Sequence, residues 1–190
     1  MQNSLHYLVR TTMFVGLALI ALLLTGCQSG LLVRAEDLDR LTGPEWKGTL
    51  TTRDNLTNKE TTIESTLTVV KVAGLAEVGN DFSDAGVRSS WEFQFAFPQE
   101  PKENYTETFM ISFDGKRLGD ENVRERIEVN PGSPPGTLVL ITEKTGSDND
   151  KPANLRFRYT LSDQLFMITK YVKPEGTADF FQRSEYRWTR

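Results

Sequence analysis

Histidine and cysteine are almost absent from this sequence: of 190 residues, one is histidine and one is cysteine. Both stand early, at His6 and Cys27, so nothing after position 27 carries an imidazole or a thiol. That excludes Ser-His-Asp and Cys-His nucleophilic catalysis, histidine general-base chemistry and the usual His/Cys zinc sites in the body of the chain. It also excludes disulfides there, which leaves stability to a packed core. Long hydrophobic runs are missing as well, since the stretch from Met13 to Leu24 holds about twelve apolar residues, short of the roughly 20 that span a bilayer as a helix. Nor is there a surplus of positive charge. Lys and Arg total 22 against 26 Asp and Glu, a formal net charge of −4, which argues against nucleic acid as a partner.

What the first residues do contain is an export signal in three parts: a polar start with Arg10, the apolar stretch, and the small residues Thr25-Gly26 before Cys27. Leu24-Thr25-Gly26-Cys27 resembles the lipobox of bacterial lipoproteins. The resemblance implies a signal peptide over residues 1–26 that is removed, and diacylglycerol on the Cys27 thiol with an acylated new amino terminus. Several acyl chains anchor stably where one binds only marginally. Gln28 stands where an aspartate would favour inner-membrane retention in enteric bacteria, so the resemblance implies an outer-membrane anchor facing the periplasm. The lipidated cysteine and a short tether occupy residues 27–32, and one domain is expected over residues 33–190.

Residues 33–41 read as one or two helical turns, with Leu38 and Leu41 on one side and Arg34, Glu36, Asp37, Asp39 and Arg40 on the others. From Gly43 onward the hydrophobic period is two, the signature of half-buried strands. Trp46, Gly48 and Leu50 share a face in the first strand, and Ile63, Ser65, Leu67 and Val69 in the second. The aromatic sets Trp91, Phe93, Phe95, Phe97 and Tyr105, Phe109, Phe113 follow. Later strands are expected over residues 123–129, 137–142, 155–161, 165–172 and 179–189, about nine in all with almost no helix. Asp114-Gly115 and Ser162-Asp163 mark tight reversals, and residues 130–136 a longer loop. Short connections favour antiparallel neighbours. The stretch 73–87 is the longest connection, a crossover loop or a lid over a barrel end.

A short helical lead-in, a tryptophan early in the first strand and an aromatic, arginine-rich last strand together resemble the lipocalin-like (calycin) barrels. This implies a single antiparallel up-and-down barrel of about 8–10 strands, with a two-sheet β-sandwich as the alternative. In that superfamily the first-strand tryptophan packs at the barrel base under a basic residue from the last strand. Trp46 would take the first role, and Arg187 or Arg190 the second. Here Gly43-Pro44-Glu45-Trp46 is one residue longer than the superfamily's Gly-x-Trp.

Trp91, Phe93, Phe95, Phe97, Tyr105, Phe109 and Phe113 are the candidate lining of a pocket for a small hydrophobic molecule. Alternation alone does not distinguish such a pocket from a filled interior. No metal and no cofactor is expected. Haem would need Tyr171, Tyr186, Met110 or Met167 in place of histidine, and Asp148-Asn149-Asp150 lacks the distal glutamate of a calcium loop and reads as a solvated turn. Asp114, Asp120, Glu121 and Glu125 are the acids that a carboxylate hydrolase would draw on. The pairs Arg124/Arg126 and Arg156/Arg158 read as solvated strand faces; turned inward they would receive a carboxylate or phosphate. Three functions follow: a non-catalytic ligand-binding lipoprotein, an accessory protein-interaction module of an envelope assembly, and a carboxylate-dependent hydrolase.

Overall fold

Alternation along nearly every apolar stretch is satisfied by one sheet rolled on itself. The computed structural model describes residues 33–54, 57–72, 87–112, 114–128 and 136–190. Residues 1–32, 55–56, 73–86, 113 and 129–135 fall outside these, and with them the expected signal peptide, lipobox and tether and the stretch considered as a lid. One short helix, α1 (Ala35–Asp39), precedes ten strands: β1 (Trp46–Arg53), β2 (Glu60–Val72), β3 (Val87–Ala96), β4 (Tyr105–Ser112), β5 (Arg117–Leu118), β6 (Glu121–Glu128), β7 (Leu138–Asp148), β8 (Lys151–Leu161), β9 (Leu165–Pro174) and β10 (Phe181–Thr189). Each strand pairs antiparallel with its neighbours in sequence, and β10 returns to β1. The fold is a closed antiparallel up-and-down barrel, and the sandwich alternative is set aside.

The lower half of the barrel is filled. Trp46, Trp91, Trp188, Phe93 and Phe166 are fully buried, and α1 lays Leu38 and Leu41 on this end within the same core. Trp46 donates its indole N–H to the Leu41 carbonyl at 2.8 Å. The Arg190 guanidinium lies 4.1 Å from the Trp46 ring and donates to the carbonyls of Arg40, Thr42 and Asp163. Arg187 points outward to Met167 Sδ instead. Of the two arginines considered for the base, Arg190 is the one over the tryptophan.

β6 departs from simple alternation. Its register against β7 shifts between Val123 and Glu125, and a bulge of this kind swaps the faces that follow it. Arg126 turns inward as a result, whereas Ile127 is 44% exposed. Arg126 is therefore not part of a solvated face, as its alternation with Glu125 suggested, while Arg124 and Arg156 are: both reach Glu143 outside the barrel. Nor is Arg126 open to a ligand. Its guanidinium donates to both oxygens of Asp37 on α1, at 2.9 and 2.8 Å, and to exposed Glu128. Asp37 also accepts the Arg34 N–H at 2.9 Å, which caps the helix. Further along, Asn149 and Asp150 both have positive φ, as a two-residue I′ hairpin requires.

Removing one member of a buried, hydrogen-bonded ion pair costs far more than the pair is worth, because the other charge stays buried. Asp37→Ala should destabilise the barrel by about 3 kcal/mol, the lower end of the range for such pairs since Glu128 still meets Arg126. The double change Asp37→Ala with Arg126→Met should restore most of the loss. Urea unfolding followed by tryptophan fluorescence measures both.

Candidate functional site

Above the packed half the barrel is hollow. A cavity of about 820 Å³ opens there, within the size range of small-molecule sites. Inward positions set its walls. On β4 the register pairs Tyr105 with Phe95, Glu107 with Phe93 and Phe109 with Trp91. Opposite them stand Leu155, Phe157 and Tyr159 of β8, Ile168 and Lys170 of β9, and Ser184 and Tyr186 of β10. The cavity also touches Thr108 and Met110, the alternate residues on β4. The reason is β5, whose two residues make one pairing with β4, Ile111 to Leu118. From Tyr105 to Phe109 the strand has ladder partners on its β3 side only, so the wall has a seam beside the cavity.

The candidate aromatic residues separate. Phe95, Tyr105 and Phe109 line the cavity. Trp91, Phe93 and Phe97 do not; all three are buried in the core. The Trp91 indole donates to Asp39 of α1 at 3.1 Å. Phe113 is outside the described residues. Phe95 stacks on Tyr105 at 4.5 Å between ring centroids and lies 5.5 Å from Tyr186, and the two tyrosine hydroxyls share a hydrogen bond of 3.0 Å. That bond joins β4 to β10, strands separated around the barrel by β3, β2 and β1. Burial holds the Tyr159 phenol well above its ordinary range, and the Tyr105 and Tyr186 phenols, each beside the other, are raised too, so all three serve as neutral hydrogen-bonding groups.

The polar part of the site gathers around Glu121. Of the four acids considered for hydrolysis, Glu121 is buried inside and Asp120 lines the cavity beside it. Asp114 is occupied in its own turn by Ser112 and the Lys116 N–H, and Glu125 follows the bulge on an exposed position. Oε2 of Glu121 accepts from the Tyr159 hydroxyl at 2.8 Å and from Thr142. Oε1 has Lys144 at 4.0 Å. Burial pushes the Glu121 carboxyl above its ordinary range, and the hydrogen bonds from Thr142 and Tyr159 and the charge of Lys144 pull it part of the way back. Glu107, at an exposed position on the cavity's rim, is raised as well, by the partial loss of water around it and with Lys144 opposing. Lys144 pairs with Asp120 at 3.0 Å and sits 5.4 Å from the Phe157 ring centroid.

Glu107 is the residue that sequence reasoning passed over. It shares the inward parity of Tyr105 and Phe109, so the period of two was signal enough; the aromatic stripe drew attention past it. Lys144 had no such signal, and Tyr186, on the period-two face of Trp188, was weighed only as a haem ligand. They reach the site through the β7–β8 and β9–β10 pairings, which no local pattern specifies.

No protein-family model matches this chain, and no curated protein does. Among solved structures the barrel is similar to the S-type phycobiliprotein lyase CPES from Guillardia theta, at 15% identity and a TM-score of 0.46, covering 82% of this chain and 90% of that one. The functional reading therefore rests on the cavity itself.

A carboxyl raised by burial makes the fold less stable as pH increases. At low pH the group is protonated in folded and unfolded chains alike and burial costs nothing; above the ordinary carboxylate range the unfolded chain ionises first, and the fold carries the difference. Glu121→Gln keeps an oxygen for Thr142 and Tyr159 but cannot ionise. Its stability relative to the parent should rise as pH increases above the ordinary carboxylate range, read as a growing difference in urea midpoint.

Proposed function

We propose that this chain is a lipid-anchored lipoprotein of the bacterial outer membrane, facing the periplasm, whose barrel over residues 33–190 holds one small amphipathic molecule without transforming it. The observation that carries the binding reading is the cavity. The same closed sheet is packed solid at one end and hollow at the other, and the hollow end has three of the expected aromatic residues together with a positioned carboxyl group. Interiors are otherwise filled to crystal-like density, and a void kept open beside polar groups suits a ligand or water. The apolar pocket expected from the aromatic stripes is thereby refined to a mixed one. Anchoring rests on Leu24-Thr25-Gly26-Cys27, with residues 1–26 as the removed signal and 27–32 as lipid attachment and tether.

Two other readings fit less well. An envelope interaction module calls for a filled barrel, whereas the upper half of this one is hollow. A carboxylate-dependent hydrolase draws on Glu107 and Glu121, which do face one cavity. Acid and base roles need environments that push two pKa values apart, and these two are shifted in the same direction, upward.

Native mass spectrometry of the full chain, followed by denaturing extraction, tests the binding reading. A reproducible extra mass is expected that is lost on unfolding. Ser184→Trp, which places an indole in the cavity, should abolish that mass while leaving the far-ultraviolet circular dichroism unchanged. A bare protein mass that stays bare after incubation with envelope extract would sink the proposal.

Anchoring is tested separately. Cys27→Ser should move the protein from the outer-membrane fraction to the soluble periplasmic fraction, checked by fractionation and immunoblotting.

A further inference from the structure

Two glutamates face the cavity with oxygens that no donor among the described residues fills. Glu121 is held in place through Oε2 by Thr142 and Tyr159, and Oε1 has only Lys144, beyond hydrogen-bond distance at 4.0 Å. Glu107 lines the same space and has no hydrogen bond or ion pair among the described residues. The charges acting on these two acids are those of Lys144 and Asp120, so three carboxylates share one ammonium.

The cations of the cavity are already taken. Lys144 lies against Asp120, Lys170 reaches Asp148 at 3.4 Å, and Arg117 has interactions of its own. Arg126, the inward arginine of β6, is spent on Asp37. An anionic head group would meet acids without a free cation. Around Glu107 and Glu121, by contrast, stand the rings of Tyr105, Phe109 and Tyr159, whose faces attract positive charge. Phe109 and Tyr159 meet edge to face at 6.3 Å, two walls of one corner.

We infer that the cavity takes an organic cation, an ammonium group carried on an apolar or aromatic body, with its charge on Glu107 and Glu121 and its body against Tyr105, Phe109 and Tyr159. This rests on the binding reading above and names the ligand class for that same site. Glu121 is the fixed anchor, oriented by two hydroxyls. Glu107, beside the seam next to β4, is the second contact, and Lys144 keeps the acids from repelling one another when the cavity is empty.

Two probes that share a body and differ in charge provide the test: 4-phenylbutylammonium and 5-phenylpentanoate, titrated calorimetrically into the full chain in a non-ionic detergent. The ammonium should bind at least about tenfold more tightly, the scale of a hydrogen bond to a charged group. That result needs no variant, so it holds even if a cavity mutant fails to fold. Glu107→Gln should then weaken the ammonium about tenfold and leave the carboxylate unchanged or improved. Asp163→Asn, the same charge change in the turn after β8, should leave both probes unaffected. Equal or tighter binding of the carboxylate would overturn the cation assignment while the binding function stands. Binding of neither probe would overturn both.

Discussion

The barrel closes at one close approach of two backbones. Where β1 crosses β10, Gly48 is paired with Trp188, and a Cβ on Gly48 would fall 1.9 Å from the Arg187 carbonyl oxygen. Any side chain there would push β10 away and open the sheet between its first and last strands. With the seam shut, the Trp188 indole reaches the Ser65 hydroxyl of β2 at 3.2 Å. A column of rings then runs up the interior: Trp46 on Phe166, Phe166 on Trp188, Trp188 on Tyr186, and from there to Phe95 and Tyr105. The rings come from β1, β9, β10, β3 and β4, so the column ties the last strands of the chain to the first. The chain has no disulfide beyond Cys27 to offset the entropy of bringing its ends together, so this column and the ladder beside it carry that cost.

Closure also decides where the interior can be empty. At the base, α1 covers the open end and contributes Asp37, so the inward Arg126 is satisfied by a short helix and not by a ligand. At the other end no described element plays that part. The polar inward residues, Glu107, Glu121, Lys144 and Lys170, gather at this end, while the large apolar ones gather at the base. A gradient of side-chain character along the barrel axis thus separates the half that stabilises the fold from the half that is free to bind.

Much of this was legible in the sequence, because period two is a direct consequence of the pleat. The positions of β1 to β4 and β8 to β10, the covering role of Leu38 and Leu41, and the packing of an arginine from the end of the chain on Trp46 all follow from local pattern or from the resemblance it carries. Three features were not legible, each for its own reason. β5 is two residues long, too short to show any period, yet its shortness makes the seam in the wall. The bulge near Arg124 reverses the faces of β6, so Arg126 goes in and Ile127 out against their alternation. The second half of β7, from Glu143 to Asp148, is polar on both faces and reads as loop until its pairing with β8 is known. The cavity adds a fourth limit, since a period of two says which face a residue is on but not how far up the barrel it lies.

The contrast between Arg126 and Glu121 separates structure from function in this molecule. Both are charged residues turned into the barrel, and both are buried. Arg126 meets both oxygens of one carboxylate and a second acid besides, so its polar demand is answered within the chain. Glu121 is answered on one oxygen alone, by two hydroxyls that fix its direction, and its other oxygen is left toward an open space. Burying a carboxyl group costs stability that burying an apolar residue of the same size would not. A chain under selection for folding alone has no reason to keep a carboxyl group there. Departures from local consistency of this kind belong where a site is kept for a purpose other than stability, and Glu121, held but not filled, is such a departure.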